Sequence, residues 1–377
     1  MGTRLLVVWL VGTRNPMADA IQASRLKTIL SNHYDLGRLV DFEQLFLGYC
    51  NISYIIMIEK NGKKNRYFLR RYRQGITGET IAFEHSVINH LTKKNYHLIA
   101  GIIPTRDGKT YVQRIEAGEN IFYTIFEFLT GEDRYTWVNP RCSDIDLKGA
   151  AVVLARFHDA VSDLIPEGKK HEAKISDLIP ETAHMVEQCV QKAGKTVFDV
   201  YLLEHTRLIQ ETIQNIQQKI EEDEYKGLPQ QVIHCDYHPG NLKFQNDNIT
   251  GLFDFDWSKV DVRCFDVALA MFYFCVSWEG VQDGVVQLDK VALFLNSYQN
   301  ELKSAPGIGP LSDLELKYLP DLISAANIYV VNWTIRDFYS AEVDPDEYLI
   351  YLQHHVRFMK WLENKDNREQ LERATKL

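Results

Sequence analysis

The chain has 377 residues, 45% of them hydrophobic and 25% charged, which is ordinary for a soluble globular protein large enough for two cores. A formal net charge of −9 argues against nucleic acid as a partner, because an acidic surface repels a polyanion. Six scattered cysteines without a C-x-x-C pair argue against a disulfide framework and a structural zinc site, and they favour the reducing cytoplasm.

The chain begins with an apolar run, 5–11, that is too short to span a bilayer. We therefore expect no membrane partner, and we expect residues 1–16 to be an extension outside the fold. The amphipathic pattern over 21–30 then predicts a helix.

Residues 17–130 are predicted to form a small N-terminal antiparallel β lobe that binds the nucleotide. β-branched and aromatic runs predict strands at 52–59, 66–72, 110–114 and 121–129. The sequence Lys60-Asn61-Gly62-Lys63 is typical of a hairpin turn between the first two strands. The pattern over 81–91 predicts one long helix in the same lobe.

Residues 131–365 are predicted to form a large helical C-terminal lobe for catalysis and substrate binding. Helical patterns cover 146–161, 197–222, 262–277, 285–303, 314–339 and 345–363. Short apolar strands interrupt them at 231–233, 241–244 and 252–255. The charged tail, 366–377, is expected to fray. The predicted fold class is therefore α+β, with a β-rich lobe followed by a helical lobe.

One segment of the helical lobe concentrates polar chemistry, and it reads His234-Cys235-Asp236-Tyr237-His238-Pro239-Gly240-Asn241. It is followed by a short apolar strand that ends in Asp254. Phosphoryl transfer needs a carboxylate to deprotonate a hydroxyl, together with oxygen ligands for Mg²⁺. Asp236 can supply the base, while Asn241 and Asp254 can supply the ligands.

The pattern H-x-D-x-x-x-x-N followed by apolar-Asp-Phe resembles the aminoglycoside phosphotransferase, choline kinase and homoserine kinase family of small-molecule kinases. The resemblance implies a bilobal protein-kinase-like fold and transfer of a phosphoryl group from ATP, with Mg²⁺, to a hydroxyl. It implies that Asp236 is the catalytic base and that Asn241 and Asp254 hold the metal. It also implies that Asp266 braces the catalytic loop, although an aspartate at a helix start equally suits an N-cap.

By the same resemblance the N-terminal lobe supplies the nucleotide site. Arg70 takes the place of the phosphate-binding lysine, with Arg71 as the alternative, and arginine can pair with phosphate through two hydrogen bonds. Glu84 is its expected partner, with Glu79 as the alternative. The other nucleotide-binding residues implied are Gly48, Asn51 and Ser53 in the phosphate-covering loop, and Glu127 and Leu129 in a hinge whose backbone reads adenine.

The acceptor is expected to bind in the helical lobe. Trp333 and Asp337 are four residues apart and share a helix face, and an aromatic ring beside a carboxylate suits an amine. His238 and Trp257 are further substrate candidates. We therefore expect a small hydroxylated metabolite as partner: an amino alcohol, a homoserine-like amino acid, choline or ethanolamine, or an amino sugar. The oligomeric state is left open.

Two other functions remain open from the residues alone. His234, Asp236 and His238 alternate, so a strand would place them on one face as the metal ligands of a hydrolase. The second alternative is a protein kinase or a regulatory nucleotide-binding scaffold.

Overall fold

The computed structural model of the chain describes residues 16–45, 51–138 and 141–376. The predicted extension lies outside these residues except for Pro16, which begins the first helix. The chain divides into two compact units, with the boundary between Thr130 and Gly131. The short segment 166–170 belongs to the first unit. No helix within the described residues is long and apolar enough to cross a membrane.

The first unit is a five-stranded antiparallel sheet with two helices. Its elements are α1 (Pro16–His33), β1 (Arg38–Leu45), β2 (Ile52–Lys60), β3 (Lys63–Arg71), α2 (Gly78–Lys93), β4 (Val112–Glu116) and β5 (Glu119–Glu127). The strand order is β1-β2-β3-β5-β4. Asn61 and Gly62 both have positive φ, 53° and 75°, which is the backbone of a tight hairpin turn. The predicted hairpin is therefore confirmed.

The two faces of strand β3 differ, because one carries apolar and the other polar side chains. Leu69 is fully buried in a core that α1 shares with β2 and β5. Successive side chains of a strand point to opposite faces, so Arg70 lies on the other face of the sheet. Thr77 caps α2 by accepting a hydrogen bond from the backbone of Thr80 at 3.2 Å, which fixes where that helix starts.

The second unit is mainly helical. Its elements are α3 (Asp144–Ala160), α4 (Ile175–Lys192), α5 (Val197–Ile220), α6 (Asp223–Lys226), β6 (Gln230–Ile233), β7 (Leu242–Gln245), β8 (Asn248–Leu252), β9 (Lys259–Val262), α7 (Arg263–Cys275), α8 (Leu288–Leu302), α9 (Asp313–Ser340), α10 (Pro345–Glu363) and α11 (Lys365–Ala374). Two small antiparallel sheets, β6 with β9 and β7 with β8, interrupt the helices. The predicted α+β class, with a β-rich unit followed by a helical one, is confirmed.

The C-terminal tail differs from its prediction. Residues 365–374 form α11 instead of fraying. Asn364 caps the helix by accepting from the backbone N–H groups of Asp366 and Asn367, at 2.9 and 3.3 Å. Leu371 is fully buried and Arg368 forms an ion pair with Asp321 of α9 at 2.5 Å, and these contacts dock the helix.

Candidate active site

The loop 234–241 connects the two small sheets of the second unit. It follows β6 and leads into β7, whose first residue, Leu242, pairs with Leu252 at the end of β8. The backbone N–H of Phe253 then donates to the carbonyl of Asn241 at 3.2 Å. The hairpin therefore brings Asn241 and Asp254 to the same end, as the spacing predicts.

Asp236 and Asn241 are joined directly. The side-chain Nδ2 of Asn241 donates to the Asp236 carbonyl and to the Asp236 carboxylate Oδ2, at 2.9 Å each. Both hydrogen bonds use the amide nitrogen of Asn241, so its Oδ1 is the atom left to accept a cation.

Asp254 adopts left-handed backbone angles, φ 68° and ψ 65°, at the turn after β8. Aspartate tolerates this region better than most residues because its short side chain can bond locally. The half-buried carboxylate of Asp254 and the amide oxygen of Asn241 are hard oxygen donors. Mg²⁺ prefers such donors and keeps several of its waters, so the residues fit that ion.

Asp266 holds the start of the loop. Its Oδ2 accepts from the backbone N–H of His234 and its Oδ1 from that of Cys235, at 2.8 Å each. Cys235 has a φ of 61°, an unfavourable angle for a residue with a side chain, and these two bonds hold it there. The N-cap interpretation is wrong, because Val262 occupies the N-cap position of α7. Burial opposes ionisation of Asp266, but hydrogen bonds, that of His158 foremost, lower its pKa overall.

His234 does not share a metal site with Asp236 and His238. Its side chain is fully buried, and Nε2 donates to the carbonyl of Phe253 at 3.1 Å. Burial lowers its pKa, which keeps the ring neutral. Nowhere in the described residues do three or more His, Cys, Asp or Glu side chains group to hold a metal. The metallohydrolase hypothesis therefore has no support in this geometry.

His238 lies beside the carboxylate of Asp236. Its Nδ1 accepts from the backbone N–H of Gly240 at 3.0 Å, so in the neutral ring the proton is on Nε2. Nε2 is 3.6 Å from Oδ2 of Asp236. A Cβ at position 240 would lie 3.0 Å from Cε1 of the His238 ring, so a larger residue there would press on the ring. The His238 ring also contacts the ring of Tyr273, with centroids 5.4 Å apart.

An aromatic cluster continues from Tyr273. Trp137 is at its centre, because its ring contacts those of Tyr273, Trp333 and Tyr351 at 6.4, 5.9 and 4.6 Å. Tyr348 stacks on Trp333 at 5.5 Å. We call these five residues the aromatic cluster. The Trp137 backbone N would lie 3.4 Å from a Cβ at position 240, so the cluster reaches the loop 234–241.

The sequence predicted only part of this cluster. Trp333 belongs to it, whereas Trp137 and Tyr351 were missed because they come from distant parts of the chain. For Tyr351 the sequence held a weak signal, because Tyr348 and Tyr351 are three residues apart on α10 and therefore share a helix face. Asp337 is one turn from Trp333 but forms an ion pair with Arg336 at 2.8 Å. The other candidate, Trp257, is half-buried in the short turn that follows Asp254.

In the first unit Arg70 and Glu84 form a buried ion pair. Nη1 of Arg70 donates to Oε1 of Glu84 at 3.1 Å, and Tyr72 donates to the other carboxylate oxygen at 2.8 Å. Arg71 instead lies near Glu116, at 3.5 Å. Of the alternatives, the structure therefore pairs Arg70 with Glu84, while Glu79 is exposed.

The other predicted nucleotide residues are spread along the sheet. Asn51 accepts from the backbone N–H of Arg73 at 3.0 Å, and Ser53 is paired with Arg70 in the β2–β3 register. The backbone N–H of Gly101 donates to the carboxylate of Glu127 at 3.2 Å, and the backbone N–H of Glu127 donates to the carbonyl of Gly101 at 2.8 Å. Gly48 lies outside the described residues.

Comparison with known proteins identifies the class. The model of a phosphotransferase enzyme family matches residues 47–290. The chain belongs to this family. It is 25% identical over 336 residues to a homoserine kinase of Ralstonia pickettii (strain 12J), covering 86% of this chain and 87% of that one. A homoserine kinase of Bradyrhizobium sp. (strain ORS 278) is also 25% identical, over 332 residues that cover 85% and 90% of the two chains.

Solved structures of small-molecule kinases share the fold of this family member. A microcompartment-associated aminopropanol kinase superimposes with a TM-score of 0.68 at 16% identity, covering 93% of this chain and 99% of that one. A choline kinase from Cryptosporidium parvum Iowa II superimposes with a TM-score of 0.56 at 17% identity, covering 87% and 91%. The predicted protein-kinase-like fold and the predicted class, a small-molecule kinase, are therefore confirmed.

Proposed function

We propose that this phosphotransferase transfers the γ-phosphoryl group of Mg·ATP to the hydroxyl of a small metabolite that carries an amino group. The observation that carries the proposal is the pairing of Asp236 with Asn241 on one loop, next to Asp254. It combines a base and two oxygen ligands, the parts that phosphoryl transfer requires.

Asp236 is the proposed base. Asn241 engages its Oδ2, which leaves Oδ1 to accept the proton of the attacking hydroxyl. His238 is proposed to contact the acceptor or a phosphate from beside the same carboxylate. Asn241 and Asp254 would hold Mg²⁺, which neutralises charge on the ATP phosphates.

The first unit is proposed to bind ATP. Arg70 would bind the phosphates, oriented by Glu84, and Gly48, Asn51 and Ser53 are proposed as further nucleotide contacts. The backbone N–H of Leu129 makes no hydrogen bond within the described residues, so it can donate to the adenine edge. A solved structure with the same fold, that of an amicoumacin kinase, contains AMP-PNP and Ca²⁺, which supports ATP and a divalent cation.

The aromatic cluster is the proposed acceptor site. Indole and phenol faces attract ammonium groups. Glu347 accepts a hydrogen bond from Tyr351 of the cluster and places a negative charge beside it. Together they favour an amino alcohol or a homoserine-like amino acid over a plain sugar. The cysteines of the described residues are free and buried, which suits the cytoplasm as the proposed location.

The test is ADP release from Mg·ATP with purified protein and a matched acceptor panel. It contains homoserine, 1-amino-2-propanol, ethanolamine, choline and glucosamine. 2-Aminobutyrate, which lacks the hydroxyl, and 1,2-propanediol, which lacks the amine, are the controls. We expect an amino alcohol to stimulate release and neither control to do so. Stimulation by the diol alone would contradict the proposal that the acceptor carries an amino group. Mg·ATP binding without turnover on any acceptor would favour the regulatory nucleotide-binding scaffold.

A further inference from the structure

The segment 166–170 belongs to the first unit, although the chain before and after it belongs to the second. It lies against the first turns of α2. The backbone N–H of Lys169 donates to the carbonyl of Glu79 at 3.1 Å. Gly168 has a φ of 75°, and a Cβ there would lie 2.2 Å from the carbonyl oxygen of Glu79 and 2.9 Å from the backbone N of Phe83. Only glycine lets the backbone approach α2 this closely.

A few residues later the same stretch of chain is fixed to strand β9. Nζ of Lys259 donates to the carbonyl of Ala173 at 2.6 Å, and Oδ2 of Asp261 accepts from the backbone N–H of Ile175 at 2.7 Å. Lys259 and Asp261 form an ion pair at 3.2 Å, and each is 2% exposed. The N-cap residue of α4 supplies no side-chain cap among the described residues, so Asp261 caps this helix from β9. We call residues 166–175 the strap.

Each end of the strap is fixed next to a segment that the proposed reaction uses. Glu84, the ion-pair partner of Arg70, follows directly after the turns of α2 that the strap contacts. At the other end, Lys259 pairs with Ile233 in the β6–β9 ladder, and Ile233 leads into the loop 234–241. The strap therefore connects the helix of the buried ion pair with the strand beside that loop.

The connection between the two ends is short. Lys169 and Ala173, whose backbone groups are held at the two ends, are four residues apart. Four residues span at most about 14 Å even when fully extended. Because so short a connection has little slack, a shift at one end moves the other.

We propose that the strap is a coupling element, in which Gly168, Lys259 and Asp261 are positioning residues that hold α2 and thereby keep Glu84 against Arg70. The proposal rests on the proposed role of Arg70 in binding the ATP phosphates. Releasing either end of the strap should raise KM for ATP and leave KM for the acceptor unchanged, because the disturbed contact is the one proposed for the nucleotide.

The first test compares two glycines that have nearly the same backbone angle. Gly108 has a φ of 77°, but no atom of the described residues lies within 4 Å of a Cβ placed on it. Gly168→Ala and Gly108→Ala therefore share the backbone strain, and only Gly168→Ala displaces the strap from α2. We expect KM for ATP to rise roughly threefold to tenfold in Gly168→Ala, the size of effect typical of residues that couple distant sites, and to stay at the wild-type value in Gly108→Ala.

A third variant, Gly168→Asn, separates strain from contact. Asparagine tolerates a positive φ better than alanine does, yet it still carries a Cβ. Gly168→Asn should therefore raise KM for ATP as Gly168→Ala does. A wild-type KM in Gly168→Asn would assign the effect to backbone strain and overturn the docking of the strap on α2.

The second test lengthens the strap and keeps the hydrogen bonds at both ends. Insertion of Gly-Ser-Gly-Ser after the exposed His171 adds slack, so KM for ATP should rise. Lys259→Met should raise KM for ATP in the wild-type strap and add nothing in the lengthened one, because the ends are then uncoupled. Arg263→Met is the control, since it breaks a different buried ion pair, with Glu315, and should leave KM for ATP unchanged.

Amide hydrogen exchange over the first turns of α2 gives a readout that does not depend on turnover. Exchange should accelerate in Gly168→Ala and in the lengthened strap, and it should stay at the wild-type rate in Gly108→Ala. A lengthened strap with wild-type exchange and wild-type KM for ATP overturns the proposal, and so do equal effects in the two alanine variants. If exchange accelerates but neither these variants nor Arg70→Ala change KM for ATP, the strap holds α2 and the proposed role of Arg70 is wrong.

Discussion

Asn241 donates from one amide nitrogen to both the carbonyl and the carboxylate of Asp236, at 2.9 Å each. This contact fixes the rotamer of the proposed base and leaves the amide oxygen of Asn241 for the proposed metal ion. The proposed base and the proposed metal ligand therefore depend on each other, and substitutions at the two positions should have different kinetic signatures.

Asp236→Ala should lower kcat by about 10²–10⁴-fold, the usual contribution of a general base, while Mg·ATP binds as in the wild type. The carboxylate acts on the acceptor hydroxyl and not on the nucleotide. Steady-state kinetics and calorimetric titration with Mg·AMP-PNP measure the two effects. Asp254→Ala is the contrasting variant, since it should weaken Mg·nucleotide binding. Near wild-type turnover in Asp236→Ala would contradict the assignment of the base.

Asn241→Ala should both lower kcat and raise the Mg²⁺ concentration required for half-maximal activity. It removes one proposed ligand and releases the carboxylate of Asp236 in the same step. Activity measured against Mg²⁺ concentration separates these effects, because Asp236→Ala should reduce kcat without shifting the Mg²⁺ midpoint. An Mg²⁺ midpoint that stays at the wild-type value in Asn241→Ala would remove Asn241 from the metal site.

The catalytic loop was predictable because its parts are close in sequence. Asp236 and Asn241 share one turn, and a single hairpin returns Asp254 to it, so local geometry determines their meeting. The Arg70–Glu84 pair was implied by the family resemblance, which placed the arginine on a strand and its partner on the following helix. Each of these relationships depends on spacing along the chain.

The aromatic cluster was not predictable in the same way. Trp137 comes from a loop before α3, Tyr273 from α7 and Tyr351 from α10, and only tertiary packing brings them together. Asp266 shows the limit of sequence spacing in another way. Its position near a helix start suggested a cap, whereas the family resemblance implied the contact with the loop backbone that the structure shows.

Arg70→Ala should destabilise the first unit by about 3–5 kcal/mol, because it leaves the carboxylate of Glu84 buried without its ion-pair partner. The double variant Arg70→Leu with Glu84→Leu should cost less than the sum of the two single substitutions. Urea unfolding measures the free energies. Arg38→Ala is the control and should cost roughly 1 kcal/mol or less, since the Arg38 side chain of the Arg38–Glu59 ion pair is 76% exposed. Additive costs in the double variant would contradict the coupling.

Arg70→Ala should also raise KM for ATP if Arg70 binds phosphate. Arg70→Lys keeps a positive charge but loses the two-pronged geometry, so it should be intermediate. Initial rates over a range of ATP concentrations measure both variants. An unchanged KM for ATP in Arg70→Ala would assign phosphate binding to another residue.

Trp137→Ala should raise KM for an amino-bearing acceptor by about tenfold, the effect of losing one desolvated cation–π contact, with KM for ATP unchanged. Trp333→Ala should behave alike, while Trp137→Phe keeps a ring and should be milder. Trp361→Ala, later on α10 and outside the aromatic cluster, is the control. An equal increase for an acceptor without an amino group would show that the cluster contributes packing and not recognition of a cation.

Buried neutral histidines should make the fold sensitive to acid. Burial lowers the pKa of His85 to about 3, with Arg70 adding to the effect, and burial lowers the pKa of His234, His354 and His355 as well. In the unfolded chain a histidine titrates near 6.5. Below that pH the unfolded state binds protons that the folded state does not, so stability is complete above about pH 6.5 and falls as the pH falls.

Each such histidine should remove roughly 1.4 kcal/mol of unfolding free energy per pH unit below about 6. Urea unfolding at pH 8, 6 and 5 measures the slope, and His85→Gln should reduce it by the share of one histidine. His184→Gln should leave the slope unchanged, because the His184 side chain is 72% exposed. The pKa of Asp266 is also lowered, so Asp266 reduces the free energy of unfolding only below about pH 4, where an unfolded aspartate begins to protonate. A stability that stays constant between pH 8 and 5 would mean that these histidines are protonated in the folded protein.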